Sequence, residues 1–307
     1  MKILITGSNG FIGRNINENF QKKFTEISAP KRDELNLLDR DAVESYVKKN
    51  NFDVIVHCCV TLTSIEQNLE MYFNIERLSN SFGKLICIGS GAEFDGKNYM
   101  PKMNEDYFGK NIPLKSDIYG YSKYEIAKDI LKKKRNIYNL RVFGIFGKYE
   151  DYRRRLISNN ICKLLCGQNI TLNKNGCFDY MYVNDFSNIL ANFIKKEPKH
   201  STYNACTGKV IEFLTLVKII NDIDGRELPI EIKQEGINPE YSGDNSRFIN
   251  EFGPINFTKF EDSVHELYNW YKFKSNLSFD DRLFDNWVKN WHLIKYEFTG
   301  KRNVWSA

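Results

Sequence analysis

The stretch "KILITGSNGFIGRNINENF" (residues 2–20) passes from a short apolar run into three spaced glycines and then into a helix-like segment. The glycines stand at positions 7, 10 and 13. Gly7 lets the chain turn sharply. Gly10 removes a side chain where a pyrophosphate must approach the backbone, and Gly13 lets helix and strand pack closely. The start of the following helix presents free N–H groups and a partial positive charge to an anion. A glycine triplet alone is weak evidence. Placed after a strand and before a helix, it has the context that dinucleotide binding requires. Ser8, Phe11 and Ile12 lie in the same turn and are candidate contacts.

Outward from this turn, the first half alternates apolar runs with amphipathic ones. Strands are expected at "KILIT" (2–6), "TEIS" (25–28), "DVIVHC" (53–58), "KLICIG" (84–89) and "IYNLRVF" (137–143). Helices are expected at "GFIGRNINENF", "DRDAVESYVKKN", "SIEQNLEMYFNIERLSNSF" and "YGYSKYEIAKDILKKK". In the last of these, Tyr119, Lys123, Ile126, Ala127, Ile130 and Leu131 follow helical spacing. Such alternation predicts an α/β fold: a Rossmann-type, doubly wound parallel sheet that binds ligands at the carboxyl ends of its strands. After about residue 148 the rhythm changes. "RRRLISNNICKLLCGQNI" reads as a helix; "FDYMYVNDFSNILANFIKK" and "TYNACTGKVIEFLTLVKIINDIDG" each read as strand then helix. Residues 230–256, richer in Gly, Pro and Asn, read as loops, and the aromatic tail from 279 onward is poorly patterned. The expected division is a dinucleotide-binding domain over 1–150, with a strand-helix return near 178–196, and a smaller interleaved substrate lobe over 151–177 and 197–307.

The 307 residues can bury a sizeable core. A net charge of +5 is mild. Its clusters, "KKKR" (132–135), "RRR" (153–155) and "KKEPK" (195–199), suit an anionic small ligand or plain solvated faces, and do not argue for nucleic acid. Seven cysteines without a CxxC pattern read as reduced, buried thiols, and the four scattered histidines make no metal-ligand spacing, so no metal is expected. With no signal peptide and no apolar run of membrane-spanning length, the reading is a cytoplasmic protein.

The second strand candidate ends in "ISAPKRDELNLLD". Lys31 and Arg32 occupy the place where an acid would hold the ribose 2′-OH of NAD. Two cations suit a 2′-phosphate, which favours NADPH with NAD possible; solvated loop charges are the plainer alternative. Asn36, Leu37, Cys58 and Cys59, at or after strand ends, are further candidate cofactor contacts. Three Tyr/Lys pairs share a four-residue spacing: Tyr119/Lys123, Tyr124/Lys128 and Tyr268/Lys272. Spacing alone does not choose among them.

Taken in order, "TGSNGFIG", "CIGSGAEF", "YGYSK", "FDYMYVNDF" and "YNACTGKVIEF" resemble the signatures of the extended short-chain dehydrogenase/reductase family, the NAD(P)-dependent sugar-nucleotide epimerases, dehydratases and reductases. The likeness spans about residues 1–270. It selects Tyr119 with Lys123, and implies that Ser90, at the end of "KLICIG", completes a catalytic set. Residues four apart share a helix face. A free tyrosine titrates near ~10, and an adjacent ammonium favours its ionised form. Tyr119 can then exchange a proton with a sugar oxygen while Ser90 hydrogen-bonds that oxygen. The resemblance also places Asn68 beside the active site and Val142 and Ile145 near the nicotinamide, and implies a homodimer formed through the helices at 64–82 and 119–134.

Departures from the family pattern narrow the reaction. Dehydratases follow their serine or threonine with Asp-Glu; here Gly91 and Ala92 follow Ser90, and Glu93 comes one place late. The "RDELNLLD" segment (32–39) resembles GDP-fucose synthase-like 4-keto reductases, but their epimerising cysteine falls at Ala92. What remains is reduction of a nucleotide-linked 4-keto sugar, or 4-epimerisation through a transient ketone, or a non-catalytic NADP-binding subunit. Phe178 replaces a basic residue at a substrate position, and Arg153, Arg154 and Arg155 are candidates to hold the substrate diphosphate or are solvated charges.

Overall fold

The computed structural model describes residues 1–133 and 136–277. The expected aromatic tail from 279 and part of the "KKKR" cluster (134–135) lie outside the described residues. Strands and helices alternate as β1 (Lys2–Thr6), α1 (Phe11–Phe20), β2 (Glu26–Ser28), α2 (Arg40–Asn50), β3 (Val54–His57), α3 (Ile65–Glu76), β4 (Lys84–Ser90), α4 (Ile118–Lys133) and β5 (Ile137–Val142). There follow β6 (Gly144–Phe146), α5 (Leu156–Leu165), β7 (Ile170–Asn175), β8 (Cys177–Phe178), β9 (Tyr180–Tyr182), α6 (Val183–Ile194), β10 (Thr202–Ala205), β11 (Ile211–Glu212), α7 (Phe213–Asp222), β12 (Ile230–Ile237), α8 (Ser246–Phe252) and α9 (Phe260–Leu277).

Six strands form one parallel sheet in the order β10-β5-β4-β3-β1-β2, the Rossmann-type arrangement. Both faces are covered, so β1 is apolar almost throughout. Ile3 and Ile5 face one side, with Ile16 and Phe20 of α1 and Phe186 and Phe193 of α6. Leu4 faces the other, with Val43, Val47, Tyr72 and Ile130. Asp39 caps α2 by accepting the N–H groups of Asp41 and Ala42, and Ser64 caps α3 through Gln67. The strand order reverses between β3 and β1, the switch point where such sheets open a crevice.

Met1–Glu150, Gly176–Glu212 and Asn238–Thr258 make one compact unit; Asp151–Asn175, Phe213–Ile237 and the described part of Lys259–Ala307 make a second. The first unit thus takes in 197–212 and 238–258, because β10 is an edge strand of the main sheet. In the second unit β7 and β12 pair in parallel, Ile230 opposite Ile170.

Several elements differ from the sequence reading. α3 stops at Glu76 and the chain turns before β4. The stretch 153–170 holds a helix only over Leu156–Leu165, and its last residue already begins β7. The loops expected over 230–256 contain β12 and α8. β12 is exposed nearly from end to end, so no alternation of buried and exposed residues announces it; its pairing with β7 defines it. Leu131 lies at the edge of the α4 stripe and is exposed. No disulfide joins cysteines among the described residues, but only Cys87, Cys162 and Cys206 are buried; the other four are half-buried.

Candidate functional site

The turn after β1 is built from backbone. Gly7 sits at φ +68°, and a Cβ there would stand 2.8 Å from the Cys59 nitrogen. Only glycine fits the turn against the end of β3. A Cβ on Gly13 would come within 2.3 Å of the Gly7 carbonyl oxygen, so the first turn of α1 rests directly on the loop. Gly10 begins α1 with no side-chain cap and no acidic residue in the first turn. Its Cβ position meets only the Gly7 oxygen, at 3.3 Å. Ser8 Oγ donates to the Ala29 and Pro30 carbonyls and ties the turn to the end of β2.

A cleft of about 390 Å³ opens at this switch point. The structure brings Gly7, Ser8, Gly10, Lys31, Arg32, Asn36, Leu37 and Cys59 together in its walls. Lys31 and Arg32 are exposed, and the Lys31 N–H donates to Glu34. Asn36 Oδ1 accepts the Leu38 N–H. Burial pushes the Cys58 thiol up to about 12 and raises that of Cys59 despite the nearby cations Lys123 and Arg32. Both therefore act as neutral packing groups. Phe11, Ile12, Gly13, Cys58 and Asn68 do not line this cleft. Thr61, Thr63 and Gln67 do, and the sequence reading missed them. They come from the loop after β3 and the start of α3, which carry no motif; a polar cluster beside a strand end was the available signal.

The second group of residues lies at the carboxyl end of β4. Ser90 is its last residue and is buried. Its Oγ accepts the Ala92 N–H at 3.1 Å. A hydroxyl has one proton to give, and that of Ser90 donates to no described protein atom. The start of α4 packs on the turn Gly91–Glu93: a Cβ on Gly120 would stand 2.7 Å from the Ala92 carbonyl oxygen. Tyr119, one residue earlier, is half-buried. Lys123 Nζ lies 5.8 Å from the Tyr119 ring centroid and donates to the Ile88 carbonyl of β4 at 2.6 Å. Burial, reinforced by the Lys123 charge, pushes His57 down to about 3, so this histidine stays neutral as it pairs with Thr6 Oγ1.

The remaining expected residues take other places. Asn68 clamps the loop after β3 through the Thr61 N–H and carbonyl, and its Nδ2 also donates to Ser122 of α4. Its amide is held by protein atoms. Val142 and Ile145 belong to the sheet core and its margin. Phe178 lies in an aromatic group with Tyr180 and Tyr241. Beside it Asp179 is fully buried and accepts Thr207 and Gly208; burial raises it to about 6. Arg153, Arg154 and Arg155 are exposed residues of the second unit, and Arg153 is held by Asp151. Tyr124 is buried and stacks on Phe108, Lys128 pairs with Glu125, and Tyr268 bonds Asp224. Those two Tyr/Lys pairs are occupied in packing and surface contacts.

A bare helix N-terminus, a turn in which Gly7 and Gly13 leave no room for a Cβ, and a cleft with a cationic wall fit a dinucleotide. Among the described residues no helix is long and apolar enough to cross a membrane.

The model of the NAD dependent epimerase/dehydratase family matches residues 3–206. A GDP-6-deoxy-D-talose 4-dehydrogenase from Aggregatibacter actinomycetemcomitans is 25% identical over 299 residues, covering 87% of this chain and 97% of the relative. The methionine adenosyltransferase 2 subunit beta of Bos taurus is 29% identical over 167 residues, 48% of each chain; this chain thus matches about half of that relative. Among solved structures, a GDP-mannoheptose C4 reductase from Campylobacter jejuni with NADP bound superposes with a TM-score of 0.72 at 20% identity, covering 88% of this chain and 98% of that one.

Proposed function

The chain belongs to the NAD dependent epimerase/dehydratase family, and from that premise we propose that it reduces a nucleotide-linked 4-keto sugar, 6-deoxy or otherwise, to the 4-hydroxy sugar with NADPH. The observation that carries the reading is the packing of Gly120 of α4 on the turn that follows Ser90, which sets Tyr119 one residue away and Lys123 beside it, bonded to the Ile88 carbonyl of the same strand as Ser90. A bound nicotinamide supplies hydride. The chain's own residues supply the rest. Ser90 donates its unused O–H to the ketone oxygen and stabilises charge as it develops there. Tyr119 gives that oxygen its proton. Lys123, fixed by the Ile88 carbonyl, holds a positive charge beside the phenol and favours the phenolate left behind. Lys31 and Arg32, in the cleft wall, favour a 2′-phosphate and hence NADPH. The relative named as a 4-dehydrogenase of a GDP-deoxy sugar supports hydride exchange at carbon 4. One or more of Arg153, Arg154 and Arg155 is assigned to the substrate diphosphate, so alanine variants there raise KM before they alter kcat. Pairing of two chains through α3 and α4, whose Phe73 and Leu131 are exposed, belongs to the same reading and is checked by sedimentation.

The test is incubation with NADPH and GDP-, dTDP-, CDP- and UDP-linked 4-keto-6-deoxy sugars, following NADPH absorbance. Net oxidation supports the reductase. With the corresponding 4-hydroxy nucleotide sugars as substrates, inversion at carbon 4 on NAD without net oxidation makes the protein a 4-epimerase. A second reading, a non-catalytic NADP-binding subunit, draws support from the match, over about half of each chain, to a protein named as the beta subunit of methionine adenosyltransferase 2. Tight NADPH binding with no turnover of any sugar supports it.

A further inference from the structure

Behind Ser90 lies a charged cluster that the proposed chemistry does not use. Glu93, Arg141 and Asn204 are fully buried and Asn139 nearly so. The Glu93 carboxylate accepts the Ser90 backbone N–H at 2.9 Å and the Asn139 amide at 3.1 and 3.0 Å. It also accepts Arg141 Nε at 2.8 Å, and Arg141 Nη2 lies 2.7 Å from the same oxygen as an ion-pair contact without hydrogen-bond geometry. Arg141 Nη1 donates onward to Asn204 Oδ1 at 3.0 Å, crossing from β5 to β10. Its guanidinium lies 4.6 Å from the Phe94 ring centroid and 5.6 Å from that of Phe108, and Phe108 stacks on Tyr124 of α4. The cluster therefore touches the strand end and turn at Ser90 and reaches the helix that carries Tyr119 only through Phe108.

β4 is shaped to admit it. Gly89 sits opposite Arg141 in the ladder. A Cβ on Gly89 would stand 2.1 Å from Asn139 Oδ1 and 2.5 Å from Glu93 Oε1. The missing side chain is the opening through which the carboxylate reaches the strand end. Burying an ion pair is expensive, and an apolar pair of similar volume is often as stable. Packing alone is therefore a poor reason for this one. Its oxygens are also fully engaged and shielded from water, so Glu93 is not placed to shuttle protons as a dehydratase's acid would.

We propose that Glu93, with Arg141 as its counter-ion, is a positioning residue for Ser90. It fixes the end of β4 through the Ser90 N–H, while the Ala92 N–H occupies the acceptor side of Oγ. The Ser90 O–H is left as a donor aimed by a rigid turn. This inference rests on the reductase reading above.

The experiment is a double-mutant cycle with the full chain, NADPH and the sugar the wild type reduces. E93Q keeps the shape and removes the charge; it should lower kcat about 10- to 100-fold by misplacing the donor, with the NADPH Kd unchanged. On an S90A background the same change should alter kcat less than about threefold, because its target is gone. E93D supplies a second variant should E93Q fold poorly. It keeps the charge but is one methylene too short to reach both Arg141 and the Ser90 N–H, and should show the same pattern. Melting and NADPH titration establish that each variant is folded. Multiplicative losses in E93Q and S90A, or an unchanged kcat in either Glu93 variant, overturn the inference and leave the reductase reading intact. A wild type that consumes no NADPH with any nucleotide-linked 4-keto sugar overturns both.

Discussion

Gly10→Ala and Gly13→Ala separate two roles within one turn. A Cβ at Gly13 would meet a backbone oxygen at 2.3 Å. Ordinary contact needs about 1 Å more, and neither partner is a side chain that can swing aside. Helix α1 and the loop must part, and overpacking of this kind costs about 1–3 kcal/mol. In a unit of this size that lowers Tm by roughly 2–12 °C. The displaced helix end should also weaken NADPH binding by about 5- to 140-fold if the same energy appears in affinity. Gly10 is different. Its Cβ would meet only the Gly7 oxygen, at 3.3 Å and an ordinary φ of −79°, so the loop must give by no more than a few tenths of an ångström and alanine should lower Tm far less than at Gly13. The methyl would instead occupy the approach of the pyrophosphate and weaken NADPH binding at least about tenfold. The assay is NADPH fluorescence titration beside thermal melting of both variants. A Gly10→Ala protein that binds NADPH like wild type would refute the placement of the phosphates. A Gly13→Ala protein that melts like wild type would refute the packing argument.

Tyr119→Phe should lower kcat by about 100- to 10,000-fold with the NADPH Kd within twofold, measured by steady-state kinetics and titration. Lys31→Ala with Arg32→Ala should weaken NADPH about tenfold or more and leave NADH binding unchanged; equal losses for both cofactors would remove the 2′-phosphate assignment. Asp179 has a folded pKa of about 6 against an ordinary 3.8. The folded state therefore holds the proton more tightly, and the associated stability is full below the ordinary value and is lost as pH rises through about 6. Relative to Asp179→Asn, wild-type stability should fall by about 3 kcal/mol from low pH to neutrality, read from denaturant melts at a series of pH values; a pH-independent difference would contradict the raised pKa.

Part of this molecule is plain in its sequence. The turn at residues 7–13 is legible because Gly7 and Gly13 answer backbone contacts at the end of β3 and within the loop, where only glycine fits, and Gly10 keeps their spacing. β1 and β3 are legible because burial on both faces makes them continuously apolar. β12 is not, since an exposed two-stranded ribbon has no apolar period and depends on a partner some 60 residues away. Among the Tyr/Lys pairs, spacing is blind: all three are close in space, and only family resemblance singles out the first. Glu93 is the sharpest case. Its position reads as a misplaced catalytic acid, and its partners, the gap at Gly89 and Arg141 on β5, become visible only when β4 and β5 are laid side by side. Asn68 is similar: its side chain makes three hydrogen bonds to two residues, Thr61 and Ser122, in two other segments.

The most direct measurement follows a labelled hydride. The protein is incubated with NADPH carrying deuterium at carbon 4 of the nicotinamide, on the transferred face, and with the nucleotide-linked 4-keto sugar that supports turnover. NMR of the product then locates the label. Deuterium bonded to carbon 4 of the sugar, one per NADPH oxidised and lost in the Tyr119→Phe variant, is the predicted result. A product with no deuterium at that carbon, or one formed as fast by the Tyr119→Phe variant, would contradict it.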